Sequence, residues 1–207
     1  MKVISFLQSK GGVGKTTSVI NVAHVLARNF NIAVVDTDQQ ASLINWNKPQ
    51  RANFGIYAAE SEKDIYTIRK SLNSFDYVLI DGAAQLSVIT SASVMVSDLV
   101  IIPVSPSPLD FSASGAVLDV IEAQSFSRVV PAKFLITRFV PGTTMGDVLT
   151  ASIADTGHEA FRTKIRNRQS YVKSLLGGGT VFDTADGAAK GEIEVLAKEI
   201  LEVIGVQ

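Results

Sequence analysis

Short blocks of uninterrupted apolar residues alternate along this chain with longer blocks in which apolar residues recur every three or four positions. Met1–Leu7 opens with the first kind: Val3, Ile4, Phe6 and Leu7 form the run expected of a strand buried on both faces. Similar runs at Ile32–Asp36, Phe75–Ile80, Leu99–Val104 and Lys133–Thr137 predict further strands, and Gly55–Ala59 a weaker one. From Lys15 onward, Val19, Ile20, Val22, Ala23, Leu26 and Ala27 recur at helical spacing. Glu62–Leu72 places Ile65, Ile68 and Leu72 on one helical face, and Val88–Val96 and Gly115–Phe126 read as helices too. Ala41–Asn47 predicts the start of a helix in a section closed by Pro49. Gly187–Val203 predicts a last helix with Ile193, Leu196, Ile200 and Val203 turned to the core. Strands apolar on both faces, alternating with helices, predict an α/β fold: a mainly parallel twisted sheet flanked by helices on both faces. No linker, repeat or low-complexity tract interrupts residues 1–207, so a single domain is expected.

Composition narrows the classes. An apolar content of 46% over 207 residues suits a substantial core. The formal net charge of −1 excludes a global attraction to nucleic acid or to a membrane surface, so any such attraction is local. With no cysteine, disulfides and thiolate metal sites are excluded. The amino terminus reads as a strand rather than a signal peptide, and no apolar run reaches the length of a membrane span. A cytoplasmic protein is expected.

The chemistry concentrates where the first strand meets the first helix, at Ser9-Lys10-Gly11-Gly12-Val13-Gly14-Lys15-Thr16-Thr17. Glycines there let consecutive backbone N–H groups point into one concavity, and the helix amino terminus adds positive potential. In such a phosphate-binding loop Lys15 reaches the β- and γ-phosphates and the Thr16 hydroxyl ligates Mg²⁺. The bland alternative is a glycine-rich turn with no ligand. The loop departs from the standard pattern in having Ser9 where glycine is usual and a second lysine, Lys10, at its start. The topology brings Lys10–Thr17, Asp36–Gln40, Asp81–Ala84 and Pro103–Asp110 to the carboxyl ends of strands, the edge where ligands bind in open α/β sheets. Asp81, ending an apolar run, is placed to hold Mg²⁺ through water. Asp36 and Asp38 follow the second strand, where a carboxylate can serve the metal, orient water, or cap the next helix. Pro103, Pro106 and Pro108 end strand pairing and form either a stiff wall or a tight connection.

The run Lys10-Gly11-Gly12-Val13-Gly14-Lys15-Thr16, with Asp36, Asp38 and Asp81 in order, resembles the deviant Walker A ATPases of the ParA/MinD family, and within it the short ParF-like plasmid partition branch. The resemblance implies a Mg²⁺-dependent ATPase of slow intrinsic turnover, with Gly11, Gly12, Val13, Gly14 and Thr17 around the phosphates. It implies an ATP-dependent homodimer or higher-order assembly in which Lys10 reaches across to the phosphates bound by the other subunit. It further implies that Asp38 orients the attacking water, that Asp36 supports the Mg²⁺ shell, and that Pro106 and Arg138 lie beside the adenine. The family often carries prolines shortly after the aspartate at 81; Gly82-Ala83-Ala84 here predicts a looser loop. Nitrogenase iron protein shares the loop but needs cysteines, so it is excluded.

The carboxyl-terminal third carries a second signal. Between Glu159 and Asp183 stand Arg162, Lys164, Arg166, Arg168 and Lys173 with no acidic residue. If this segment is a strand, the first four share a face, which suits either phosphate contacts or a solvated edge that discourages aggregation. The resemblance implies the former: nonspecific DNA binding in the ATP state, a nucleoid-associated location, and a small centromere-binding partner that stimulates hydrolysis. Gly177-Gly178-Gly179 reads as a flexible break. Neither a basic amphipathic membrane helix nor an amino-terminal helix-turn-helix is seen, so membrane recruitment and operator binding are not expected. The rival readings are a cargo- or division-site-positioning ATPase and a metabolic ATP-dependent ligase of the same superfamily.

Overall fold

The computed structural model describes residues 1–38, 40 and 42–205. Among them, β1 (Lys2–Phe6), β2 (Ile32–Asp36), β3 (Gly55–Ala58), β4 (Tyr77–Asp81), β5 (Leu99–Val104), β6 (Ala132–Ile136) and β7 (Glu159–Ala160) form one sheet. The strand order is β3-β2-β4-β1-β5-β6-β7 and every neighbouring pair is parallel, so the expected sheet is parallel throughout. Helices α1 (Lys15–Leu26), α2 (Ser42–Trp46), α3 (Glu62–Ser71), α4 (Val88–Val96), α5 (Pro108–Ser112), α6 (Gly115–Ser125), α7 (Thr144–Asp155), α8 (Gln169–Ser174) and α9 (Gly187–Val203) connect and follow the strands.

Successive residues of the central strands supply opposite layers, as a period of two requires. Ile4 and Phe6 pack with Val19, Ile20 and Ala23 of α1 and Ile193, Leu196 and Ile200 of α9. Val3 belongs with Ile65 and Ile68 of α3 and Ala92 of α4. Val100, Ile102 and Val104 meet Val117 and Ile121 of α6 and Leu149 and Ile153 of α7. Each such aliphatic side chain taken fully out of water contributes roughly 1.5–3 kcal/mol. That is why the runs predict strands so well: a strand covered on both sides admits a polar side chain only where a partner is supplied, as Ser97 is for the buried Ser5 of β1.

The structure differs from the sequence expectations at three places that bear on the site. β5 continues through Pro103 to Val104. Leu7 N–H bonds the Ile101 carbonyl at 2.9 Å and the Gln8 amide bonds the Pro103 carbonyl at 3.3 Å. The missing N–H of Pro103 therefore falls just past the end of β1, where a strand proline is tolerated. Residues 161–168 form no strand beyond an isolated bridge between Phe139 and Arg166, so their cations do not share the face of a strand. Of Gly177-Gly178-Gly179, expected as a flexible break, the last two make close approaches and only Gly177 has open space around it. A Cβ on Gly178 would lie 2.8 Å from the Trp46 carbonyl and one on Gly179 2.6 Å from the Ser174 carbonyl, while Trp46 Nε1–H bonds the Gly179 carbonyl at 2.9 Å. The expected helix start at Ala41 lies outside the described residues; α2 is described from Ser42.

Candidate functional site

Four strand ends meet at the carboxyl edge. Register places Asp36 beside Asp81, and Phe6, the last residue of β1, on the other side of Asp81. The loop after β1 enters α1 through Gly12 (φ +78°) and Gly14 (φ +91°), both left-handed, which a β-carbon would strain. Gly14 caps α1 without a side-chain acceptor, leaving the first N–H groups of the helix to an anion. The same glycine packs against Thr137, whose hydroxyl donates to the Val13 carbonyl at 2.7 Å and so ties the loop to the end of β6.

The two lysines of the loop have different situations. Lys15 is 7% exposed, and its ammonium bonds the Lys10 carbonyl at 3.0 Å. Burial pushes its pKa down against the pull of Asp81 and Asp38. Lys10 stands at the mouth with 41% of its side chain exposed, ion-paired to Asp110 of α5 at 2.7 Å. Burial alone would raise the Asp110 carboxyl, but hydrogen bonds from Lys10 and Ser105 and the nearby Arg138 hold it below the usual range. Gln8 and Ser9 lean on the same corner: the Gln8 amide bonds Ser114 Oγ at 2.8 Å and the Ser9 hydroxyl donates to the Ala113 carbonyl at 2.8 Å. The unusual Ser9 thus anchors the loop where a glycine could not.

Asp81 is 1% exposed and its Oδ1 has no hydrogen-bond partner among the described residues. Burial lifts its pKa to about 7, opposed by the Thr16 hydroxyl and the Lys15 cation and reinforced by Asp36 and Asp38. A buried carboxylate oxygen left without a donor, beside a hydroxyl, fits a hydrated divalent cation. The Mg²⁺ assignment of Thr16 and Asp81 is chemically coherent on that observation. Asp36 is otherwise engaged: Oδ1 accepts the Asp38 N–H and Oδ2 the Leu43 N–H, each at 3.0 Å, which is the helix-capping alternative. Asp38 is partly exposed and accepts the Gln40 N–H at 2.9 Å. A cavity of about 330 Å³ opens beside it, lined by Asp36, Thr37, Ile44, Glu60 and Ile89 as well.

On the other side of the loop, Thr17, Ser18, Arg138, Asn167 and Arg168 line a slot of about 80 Å³. Arg138 has φ +50°, a conformation a long side chain rarely adopts, and its guanidinium lies 3.9 Å from where a β-carbon of Gly12 would stand. Pro106 is close by, sharing with Ser105, Arg138 and Val140 the wall of an open cavity of about 250 Å³. The structure therefore brings Arg138 to the loop, with Pro106 beside Arg138 rather than at the loop itself. Asn167 carries no signal in the sequence, and Thr37 and Asp110, though inside segments expected at this edge, carry none that assigns them a role.

The basic segment is not a free stripe. Arg162 pairs with Glu202 at 3.1 Å, and Arg168 with Glu192 at 2.8 Å and Asp186 at 3.7 Å. Arg166 reaches Glu192 at 3.8 Å. The main-chain N–H groups of Arg162 and Thr163 bond the buried Glu199 at 2.9 and 3.0 Å. Glutamates of α9 thus hold the segment down. Lys164, over the Phe139 ring at 4.8 Å, and Lys173 of α8 have no ion pair among the described residues.

Comparison with known proteins adds the following. A family model described as CobQ/CobB/MinD/ParA nucleotide binding domain matches residues 4–181. The maintenance of carboxysome distribution protein A of Halothiobacillus neapolitanus is 27% identical over 200 residues, covering 93% of each chain. Among solved structures, the MinD cell division protein of Aquifex aeolicus superimposes with a TM-score of 0.82 at 18% identity, covering 98% of each chain. A plasmid partition protein of Borrelia burgdorferi B31 bound to AMPPNP gives 0.77 at 20% identity, covering 97% of this chain and 98% of that one. At these identities the structural matches speak for the fold: a P-loop α/β sheet with helices on both faces.

Proposed function

We propose that this chain, which belongs to the CobQ/CobB/MinD/ParA nucleotide-binding domain family, is an ATP-driven partition switch that dimerises on ATP, rides on nonspecific DNA, and leaves it on hydrolysis. The observation that carries this reading is the contrast between the two loop lysines. Lys15 is built into the loop, while Lys10 is exposed at its mouth and held by one exchangeable carboxylate, Asp110. A cation so placed is available to phosphates on a second subunit.

In this reading the main-chain N–H groups of Gly11 to Thr17 and the Lys15 ammonium bind the phosphates. Thr16 and Asp81 would hold Mg²⁺, which supplies charge neutralisation at the β- and γ-phosphates. Asp38, partly exposed at the edge of its cavity, orients a water. Thr17, Arg138 and Asn167 receive the base, with Pro106 as the outer wall. Asp36 acts indirectly: by capping α2 it fixes the main chain that carries Asp38. Turnover is slow until a small centromere-bound partner completes the site, and pairing two subunits in the ATP dimer strengthens DNA binding by effective concentration.

Replacing Lys10 by alanine is expected to leave ATP affinity within about threefold while abolishing ATP-dependent dimerisation and lowering hydrolysis at least about tenfold. Sedimentation with a nonhydrolysable analogue and a phosphate-release assay check this; a Lys10→Ala chain that dimerises and turns over normally removes the role in trans. The experiment for the whole reading is binding to duplex DNA of random sequence with ATP, ADP or no nucleotide across a salt series. ATP-dependent binding with a steep salt slope supports it; no binding in any state moves the basic segment to a structural role and brings the ligase reading forward. Because Arg162, Arg166 and Arg168 are paired in cis, Lys164→Ala and Lys173→Ala should each flatten the slope of log affinity against log salt by about one, the effect of one phosphate left unneutralised. An unchanged slope in the double variant takes DNA binding away from this segment.

A second reading is favoured by one observation. The relative named for carboxysome distribution matches over 93% of both chains, so a cargo other than a plasmid suits the same switch. Plasmid-loss rates against the positions of cytoplasmic cargo in a deletion strain separate the two.

A further inference from the structure

Thr37 sits between Asp36 and Asp38 with 6% of its surface exposed, and its hydroxyl has two engagements. It donates to the Asp81 carbonyl at 2.9 Å and accepts the Ala83 N–H at 3.1 Å. A hydroxyl has one proton to give and lone pairs to receive, so both bonds are satisfied together. The main-chain N–H of Thr37 donates to the same Asp81 carbonyl at 3.1 Å. The loop after β2, which carries Asp38, is therefore joined to Asp81 at the end of β4 and to Ala83 in the loop after it through a single residue.

The second loop is pinned at each step. Gly82 N–H bonds the Phe6 carbonyl at 3.0 Å. A β-carbon on Gly82 would lie 2.7 Å from Leu7 Cδ2 and 2.8 Å from the Phe6 carbonyl oxygen, so the chain there has no room to shift toward β1. Ala84 Cβ is 3.6 Å from the position a β-carbon would take on Gly11, which puts the loop against the phosphate loop itself. The looseness expected from Gly82-Ala83-Ala84 is corrected: with alanine at 83 the chain keeps an N–H that proline lacks, and Thr37 receives it.

We propose that Thr37 is a positioning residue for hydrolysis, its hydroxyl fixing the chain that follows Asp81, at Ala83, against the loop that carries the water-orienting Asp38. The inference rests on the hydrolytic reading given above. Loss of the hydroxyl leaves the Asp81 carbonyl bonded to the Thr37 N–H and leaves the β2–β4 register intact, so only the Ala83 N–H is orphaned. The phosphate loop, tied separately through Thr137 and Gln8, does not depend on it. Catalysis is then more sensitive than binding, because displacement of a reacting group by a fraction of an ångström costs rate steeply.

The test compares Thr37→Val, Thr37→Ser, Ala83→Pro and the Val/Pro double variant in the full chain, with ATP affinity from a fluorescent analogue and kcat from phosphate release. Thr37→Val should lose about ten- to a hundredfold in kcat while its ATP affinity stays within about threefold. Thr37→Ser, which keeps the hydroxyl, should return to within about threefold of the parent chain. Ala83→Pro should show the same split as Thr37→Val, and the double variant should be no worse than the weaker single one, since both remove one bond. A Thr37→Val chain with normal kcat overturns the proposal. So does equal loss of affinity and rate, or a Thr37→Ser chain as slow as Thr37→Val. If the parent chain shows no turnover with or without DNA, the hydrolytic reading itself falls and this inference with it, an outcome distinct from every one above.

Discussion

Lys15→Ala is expected to remove nucleotide binding while leaving the nucleotide-free protein as stable as before or more so. The first half follows from position: the ammonium is 7% exposed inside the loop, and removing one partner of a charge pair in such a site costs about 3–5 kcal/mol, at least about a hundredfold in affinity. The second half follows from the sign of the pKa shift. Burial lowers the Lys15 pKa, so the folded chain holds this proton less readily than the unfolded chain does. The buried cation therefore counts against folding at neutral pH, and its removal relieves that cost, offset by what Asp81 and Asp38 gain from it. Two melting curves decide the matter. The parent chain should gain stability on adding MgATP and the variant should gain none, with its own midpoint at or above that of the nucleotide-free parent. An ATP-induced shift that survives the substitution removes Lys15 from the phosphate site.

How much of this was legible beforehand varies with the range of the interaction. The boundaries of α4 and α9 fall where the apolar spacing placed them, at Val88–Val96 and Gly187–Val203, because helices covering one sheet face need a continuous stripe. The positions of the loop motif and of Asp81 at strand ends were legible because each follows a mostly apolar run. α7 was missed: its buried positions, Gly146, Leu149 and Ile153, are sparse and one of them is a glycine. Lys10 meets Asp110, and the Thr137 hydroxyl meets Val13, across a hundred residues or more of chain, and no local pattern announces such pairs. The basic segment misled for a different reason. Its cations alternate with period two, but its buried residues are Phe161 and Ile165, four apart, and α9 supplies the glutamates that lay it down as irregular chain. Periodicity of charge is not periodicity of burial.

Asp81→Asn should make the metal-free protein more stable above neutral pH and abolish its response to Mg²⁺. With the native pKa raised to about 7 from an ordinary 3.8, the folded chain binds more protons than the unfolded chain between those values. Stability attributable to Asp81 is then fully present at acid pH, declines as pH rises through that window, and stays low above it. At about 1.4 kcal/mol per unit the decline amounts to a few kcal/mol. Asp36 is raised as well, by burial first, and Asp110 and Asp98 are lowered, so the whole-protein curve mixes both signs. The difference between parent and variant isolates Asp81. Denaturant unfolding in EDTA at pH 5 and pH 8 should show that difference widening toward pH 8, with the variant ahead. Adding Mg²⁺ and ADP should reverse the order, because the cation gives the orphaned Oδ1 its missing partner and the amide cannot replace a charged ligand. A gap that does not change with pH would mean that Asp81 is already ionised and paired in the folded chain. Equal stabilisation of both proteins by Mg²⁺ and ADP would place the cation elsewhere. A reversal of order on adding the cation would make the ion the reason that a carboxylate is buried at this strand end at a cost to folding.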